Sequence, residues 1–321
     1  MTPWLKSIPP PRQHNSGDDF RNSESRPCRL KGRAASAGST QFLGPIQILA
    51  FQAAPCYVFP VMIRKPMPTF REHLAGDEAV FGVFAKTNDP FFVEILGKTG
   101  FDFVILDREH GPNSIRELYP LIMASWLNNL YPIVRVGSLE ESEVQRVLDL
   151  GVAGIQIPHI ESEADAERAR QYIRFHPQGS RGVCRFVRAA EFTAMDRATY
   201  FASQNEVASI LMIEGSSGVA NARAICQSPG HDVVFVGPYD LSQSLGIPGQ
   251  VSDPRVTSLV ESIVATCRAC GRHAGVFVDT IAAARKYRDL GVKYIAYSVD
   301  VGIFANACVE LRAALRDPEG M

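Results

Sequence analysis

The sequence predicts a (β/α)8 barrel. Short apolar runs recur from Val80 onward, most of them near-continuous rather than alternating, and helical patterns lie between them. Four of the units share one rhythm: a helix, a glycine, one or two residues, then an apolar run. Near-continuous apolar runs mark parallel strands buried on both faces. Eight such units in about 240 residues fit a closed barrel. An open doubly wound sheet is the alternative, but it usually carries a glycine-rich fingerprint after the first strand. Phe84-Ala85-Lys86-Thr87-Asn88 has none.

The expected strands are Val80–Lys86, Phe101–Asp107, Tyr131–Val136, Gly154–His159, Val207–Glu214, Asp232–Val236, Ala274–Val278 and Tyr294–Ser298. Asp89-Pro90 opens the first helix between them, because proline suits the first helical turn, and Gly100 closes it. Glu140 to Leu150 closes at Gly151, and Ser162-Glu163-Ala164-Asp165 resembles a capping box at the start of a helix running to Phe175. Asp253-Pro254 opens a long helix closing at Gly271, and Thr280 to Leu290 closes at Gly291. A glycine past a helix end supplies the left-handed cap residue.

Residues 1–61 differ in texture from the rest of the chain. They hold Pro9-Pro10-Pro11, many serines and glycines and scattered arginines, with no helical or strand period up to Thr40. A targeting peptide is disfavoured by Asp18, Asp19 and Glu24. A functional tail and an upstream extension remain; the extension, with a native start at Met62 or Met67, is the favoured reading. The expected organisation is therefore a disordered or non-native segment over 1–61 and a barrel domain over 62–321.

The 321 residues are 46% hydrophobic and 21% charged, with 33 Lys and Arg against 34 Asp and Glu. That balance offers no electrostatic footprint for nucleic acid and no drive toward anionic membrane. The longest apolar stretch, Ile46 to Met62, is interrupted by Gln52, Pro55 and Pro60, too broken for the ~20 apolar residues of a spanning helix. Seven cysteines are odd in number and sparse, which fits a reducing compartment, hence a cytoplasmic protein. Cys267 and Cys270 form a lone pair inside an expected helix, read as packing.

In a barrel, chemistry sits at the C-terminal ends of the strands. The second run ends in Asp107-Arg108-Glu109-His110-Gly111-Pro112-Asn113, a dense ionisable loop in which His110 is a natural general base. The third ends in Arg135, which inside an apolar strand needs a carboxylate partner or a substrate anion. The fifth ends in Met212-Ile213-Glu214 and the sixth in Gly237-Pro238-Tyr239-Asp240. Carboxylates at adjacent strand ends suit a shared hard divalent cation; helix capping by Asp240 and an ion pair at Glu214 are the plainer reading. His159 ends the fourth run and ranks lower: it could face the pocket, but a satisfied structural histidine is at least as good a reading. A Schiff-base enzyme needs a lysine in the pocket; Lys86 alone sits at a strand's C-terminal end, while Lys293 precedes the eighth strand.

Together these motifs resemble the HpcH/HpaI aldolases. The resemblance rests on Gly100-Phe101-Asp102-Phe103 through Asp107-x-Glu109-His110-x-Pro112-Asn113, Val134-Arg135, Leu148-Asp149-x-Gly151-x-x-Gly154, Pro177-x-Gly179-x-Arg181-Gly182, Ile213-Glu214 and Gly237-Pro238-x-Asp240-Leu241-Ser242. It implies a TIM barrel of the phosphoenolpyruvate/pyruvate type that cleaves or forms 4-hydroxy-2-oxo acids, giving pyruvate or a close analogue plus an aldehyde. By resemblance, Glu214 and Asp240 hold a divalent metal (Mg²⁺, Mn²⁺ or Co²⁺), Arg135 binds the keto oxygen, and His110 works in a proton-transfer network supported by Asp107 and Asp149. Gly237, Pro238, Tyr239, Ser242 and Met212 fall to substrate binding. The resemblance also implies a hexamer with an exchanged C-terminal helix, Ile303 to Leu315 packing on a neighbour.

This chain departs from the family pattern at Met212, where a Gln is common, at Arg108, at Tyr239 and at Val136-Gly137. Two rivals stand beside the aldolase. An acyl-CoA ester lyase of the citrate lyase β or malyl-CoA type would need a basic patch, for which Arg181, Arg185 and Arg188 are the candidate. A non-catalytic keto-acid-binding barrel would not need its catalytic positions filled.

Overall fold

The computed structural model describes residues 67–316. The expectation for residues 1–61 lies outside them. The described chain is a closed parallel barrel in which each strand pairs with its sequence neighbours and the last returns to the first. Its elements are α1 (Phe70–Leu74), β1 (Val80–Ala85), α2 (Pro90–Lys98), β2 (Phe103–Asp107), α3 (Ile115–Leu127), β3 (Tyr131–Arg135), α4 (Glu141–Asp149), β4 (Gly154–Ile157), α5 (Glu163–Ile173), α6 (Arg197–Asn205), β5 (Ala208–Ile213), α7 (Ser216–Ala220), α8 (Ala222–Gln227), β6 (Val233–Val236), α9 (Pro238–Ser244), α10 (Pro254–Ala269), β7 (His273–Val278), α11 (Ile281–Asp289), β8 (Tyr294–Val299) and α12 (Asp300–Arg316). All eight expected strands form, each within two residues of its expected bounds.

Helix ends follow the sequence signals. Asp89, Ser162, Asp253 and Thr280 each cap a helix with the side chain, and Gly100, Gly151, Gly271 and Gly291 all take left-handed φ between 68° and 89°. The box at Ser162 is altered: Ser162 accepts from the Asp165 amide, but Asp165 reaches the amide of Glu161 instead of that of Ser162.

Two apolar layers hold the barrel. One lies between strands and surrounding helices, where β2 and β3 contribute Val104, Leu106 and Val134. The other fills the barrel interior, where Phe103 and Tyr294 stack at 4.2 Å. Gly82 makes room for that stack: a Cβ there would lie 2.3 Å from the Phe103 ring. The N-terminal end is plugged by α1, whose start is fixed by a reciprocal Thr69–Glu72 capping box. That box presents Phe70 to the rings of Tyr131 at 5.0 Å and Phe103 at 5.7 Å. With one end closed by apolar side chains, a site can open at the other.

Cys267 is buried 3.7 Å from Cys226 rather than paired with Cys270, in agreement with a packing role. Lys293 Nζ donates to the carbonyls of Gly76, Asp77 and Glu78 at the N-terminal end, so it holds a loop there.

Candidate active site

Parallel register builds the centre of the site. Asp107 on β2 stands beside Arg135 on β3, which stands beside Gln156 on β4. Arg135 donates a fork to Asp107, Nε to Oδ1 at 2.9 Å and Nη2 to Oδ2 at 2.7 Å, while its guanidinium lies 4.8 Å from the Phe84 ring centre. Both residues are buried. Burial raises the Asp107 carboxyl, but the Arg135 hydrogen bond and charge outweigh it and hold the group below the usual carboxylate range. Arg135 is driven up: burial lowers it, and Asp107, Glu109 and Glu214 together overcome that.

Asp107 also accepts the backbone amides of Glu109 and His110, at 3.1 and 3.3 Å. These bonds turn the loop so that Glu109 comes back to the third guanidinium nitrogen, Oε2 to Nη1 at 2.8 Å. That contact is a close charge pair without hydrogen-bond alignment, since Glu109 Oε2 has no hydrogen-bond partner.

Glu214 follows β5 and is buried. Its Oε1 accepts the His159 amide at 2.7 Å and lies 3.0 Å from His159 Nδ1. Its Oε2 is buried with no hydrogen-bond partner and faces Gly237, where a Cβ would sit 2.9 Å away. Burial, reinforced by the charges of Glu109 and Asp240, pushes the Glu214 carboxyl up against the lowering by His159. An orphaned carboxylate oxygen among further carboxylates lacks a cation. Glu109, His159 and Glu214 each offer a ligand atom within 4.8 Å of the others. This oxygen-rich donor set with one imidazole fits a divalent metal.

Next to these groups lies a cavity of about 470 Å³ lined by His110, Arg135, Met212, Gly237, Pro238, Tyr239 and Asp240 among others; Glu214 reaches it through its contact with Gly237. Phe84, Phe235 and Phe277 form an aromatic wall, with Lys86 and Asp279 alongside. Tyr239 donates to Asp279 Oδ2 at 2.6 Å, and that bond, with burial, pushes the phenol up to about 12. Met212 takes part in a buried chain below the cavity: Tyr294 donates to Gln156 Oε1 at 3.1 Å, and Gln156 Nε2 meets Met212 Sδ at 3.0 Å.

Three expected site residues are placed differently. Asp107 serves Arg135 and touches His110 only through the backbone amide. Asp149 ends α4, at the N-terminal end of the barrel, and binds Arg181 Nη2 at 2.9 Å, so within this chain it does not support His110. Ser242 is fully buried, donates to the Tyr239 carbonyl at 2.6 Å and accepts the Gly249 amide at 2.9 Å, so its hydroxyl secures α9. Sequence reasoning leaves Glu109 without a role and gives His159 only a place facing the pocket, with a structural role at least as favoured.

The arginine cluster makes contacts within the chain. Arg181 is buried on Asp149, Arg185 donates to the Met195 carbonyl, and Arg188 donates to the Leu150 carbonyl at 2.8 Å. Among the described residues no helix is long and apolar enough to cross a membrane.

Comparison with known proteins agrees with the geometry. The HpcH/HpaI aldolase/citrate lyase family model matches residues 80–307. A 5-keto-4-deoxy-D-glucarate aldolase of Citrobacter koseri is 36% identical over 248 residues, 77% of this chain and 96% of its own length. One from Escherichia coli O6:H1 is 37% identical over 243 residues, 75% of this chain and 94% of its own. Among solved structures, an HpcH/HpaI aldolase/citrate lyase family protein from Burkholderia cenocepacia superposes with a TM-score of 0.75 at 33% identity, covering 78% of this chain and 100% of that one. The citrate synthase SbnG superposes at 0.69 with 31% identity, covering 77% of this chain and 98% of its own.

Proposed function

We propose that this chain, which belongs to the HpcH/HpaI aldolase/citrate lyase family and is a carbon–carbon lyase, is a divalent-metal-dependent aldolase cleaving 4-hydroxy-2-oxo acids to pyruvate, or a close analogue, and an aldehyde. The observation that carries the reading is Glu214 Oε2, a buried carboxylate oxygen without a partner, packed against Gly237 behind the wall of a cavity that presents Arg135, His110 and Asp240. In this reading Glu214 and Asp240 hold the metal, and Mg²⁺, Mn²⁺ and Co²⁺ are the ions to test. When bound, such an ion polarises the 2-oxo group and offsets charge developing on its oxygen.

The chain's own residues supply the rest. Arg135 is fixed by the Asp107 fork and pressed against Phe84, so its charge is aimed before substrate arrives. A preorganised cation stabilises an enolate without reorganisation cost. His110 lines the cavity and takes the proton from the 4-hydroxyl as the C3–C4 bond breaks. The electron pair of that bond becomes the C2–C3 double bond as the carbonyl pair moves onto the 2-oxo oxygen beside Arg135, the former C4 carbon leaves as the aldehyde, and a proton returned to C3 of the enolate gives pyruvate. The substrate carboxylate meets the amides at the start of α9. The Gly237 amide is already given to the Ile213 carbonyl, and proline has no N–H, which leaves those of Tyr239 and Asp240. Tyr239, Phe277 and Met212 shape the aldehyde side.

We extend the reading to a cytoplasmic homo-oligomer, a hexamer by family resemblance. Its support in this chain is α12, along which Phe304, Val309, Leu311 and Leu315 are all exposed. The functional test is pyruvate release from 5-keto-4-deoxy-D-glucarate, the substrate named for the bacterial relatives, with and without divalent metal. The expected result is metal-dependent release that Glu214→Ala and Asp240→Ala each abolish while circular dichroism is unchanged. Full activity in either variant contradicts the metal assignment.

A further inference from the structure

We propose that His159 is a direct ligand of the metal, giving this enzyme a mixed nitrogen and oxygen centre that favours a later transition ion over Mg²⁺. This rests on the metal reading of Glu214 above and adds a ligand to it. The imidazole, 62% exposed, spans two carboxylates, Nδ1 at 3.0 Å from Glu214 Oε1 and Nε2 at 2.9 Å from Glu109 Oε1. Its own backbone amide binds the same Glu214 oxygen at 2.7 Å, so main chain and side chain of His159 both converge on the carboxylate. The position is costly for a residue with a Cβ: His159 sits at φ 56°, the left-handed region.

A second, independent observation points to an ion. Glu214 has only 3% of its side chain exposed and leaves Oε2 unpartnered. Glu109 is 9% exposed, and its Oε2 has a charge contact but no hydrogen bond. Arg135, already holding Asp107, is the cation that meets Glu109. A divalent ion at Glu214 supplies the missing positive charge, and an imidazole 3.0 Å from a ligand oxygen is within reach of that ion.

Ligand type sets preference. All-oxygen sites suit Mg²⁺, whereas adding an imidazole moves a site along the order Mn²⁺ < Fe²⁺ < Co²⁺ < Ni²⁺. The chain is therefore expected to bind Co²⁺ and Mn²⁺ well above Mg²⁺. His159→Phe removes the nitrogen and lowers that preference.

The test is electron spin echo envelope modulation of the full chain loaded with Mn²⁺, beside calorimetric titration with Mn²⁺, Co²⁺ and Mg²⁺. The expected result is ¹⁴N modulation from one coordinated imidazole, lost in His159→Phe, together with at least roughly tenfold weaker Mn²⁺ binding. His159→Asn, which keeps a polar side chain and tolerates the left-handed backbone, should lose the same signal. Bound Mn²⁺ without ¹⁴N modulation, or modulation that persists in His159→Phe, overturns the ligand assignment and leaves the Glu214 reading standing. Mn²⁺ binding unaffected by Glu214→Gln, or no binding at all, overturns both.

Discussion

The Asp107–Arg135 pair sets a sharp quantitative test. Asp107 is fully buried and accepts two guanidinium bonds, at 2.9 and 2.7 Å, and two backbone amides, at 3.1 and 3.3 Å. Asp107→Asn keeps the shape and an oxygen for the loop amides, but it removes the charge and turns an N–H₂ toward the guanidinium. Removing one partner of a buried pair leaves the other charge uncompensated, at about 3–5 kcal/mol. Arg135→Met strands the Asp107 carboxylate and should cost a similar ~3–5 kcal/mol. The double variant no longer strands either member of the fork, although Glu109 still loses Arg135 as it does in the single Arg135 variant, so its cost should fall short of the sum by about 2–3 kcal/mol. Guanidinium unfolding at fixed protein concentration, followed by far-ultraviolet circular dichroism, measures all four corners of the cycle. The pH arm has a definite sign. The Asp107 carboxyl is held below its ordinary value in the folded chain, so its stabilisation is present above the unfolded pKa of ~4 and is lost as pH falls through the folded value. Single variants that each cost less than ~1 kcal/mol, or costs that add within ~0.5 kcal/mol, would refute the argument that this pair is the site's rigid anchor.

Other perturbations test separate parts. Gly237→Ala puts a Cβ 2.9 Å from Glu214 Oε2 and should lower turnover roughly 100-fold with the fold intact by circular dichroism; unchanged turnover contradicts the close packing of that carboxylate. Phe70→Ala removes the plug of the barrel interior and should cost about 3–5 kcal/mol in the same unfolding assay; less than ~1 kcal/mol means α1 closes nothing. His231 is buried with neither ring nitrogen bonded, and burial, with the charges of Arg272 and Arg174, depresses it to about 3. Between pH ~6.5 and about 3 the unfolded chain therefore takes up a proton that the folded chain refuses, and stability falls by about 1.4 kcal/mol per pH unit from this group. His231→Leu should flatten that slope, and an unaltered slope shows that the proton is taken elsewhere.

The barrel is legible because every strand is an apolar run and four of the units carry a helix closed by a glycine just before the run. Strand ends are readable from the same pattern, which is why Asp107, Arg135, Glu214 and Asp240 stand out in sequence and lie at the barrel's C-terminal end. Glu109 is harder. It sits in a loop, and only the bonds from Asp107 to the next amides turn it back on Arg135. The cue in the sequence is its two-residue step from Asp107, the strand repeat carried into the loop. His159 reads as a structural histidine because sequence does not show a left-handed residue outside glycine. Ser242 resembles a substrate ligand, yet a serine inside a helix often turns its hydroxyl back to a carbonyl of the preceding turn. The position of Asp149 is readable in principle: a helix that comes after a barrel strand ends at the opposite rim, and Asp149 closes such a helix.

The central claim is enolate chemistry on a 2-oxo acid with a divalent ion, and exchange of the pyruvate methyl protons with deuterated water reports it without any aldehyde. Proton NMR should show loss of the methyl signal with Mn²⁺ or Co²⁺ present and its retention after EDTA, with exchange abolished in Glu214→Ala. No exchange with any divalent metal contradicts the account.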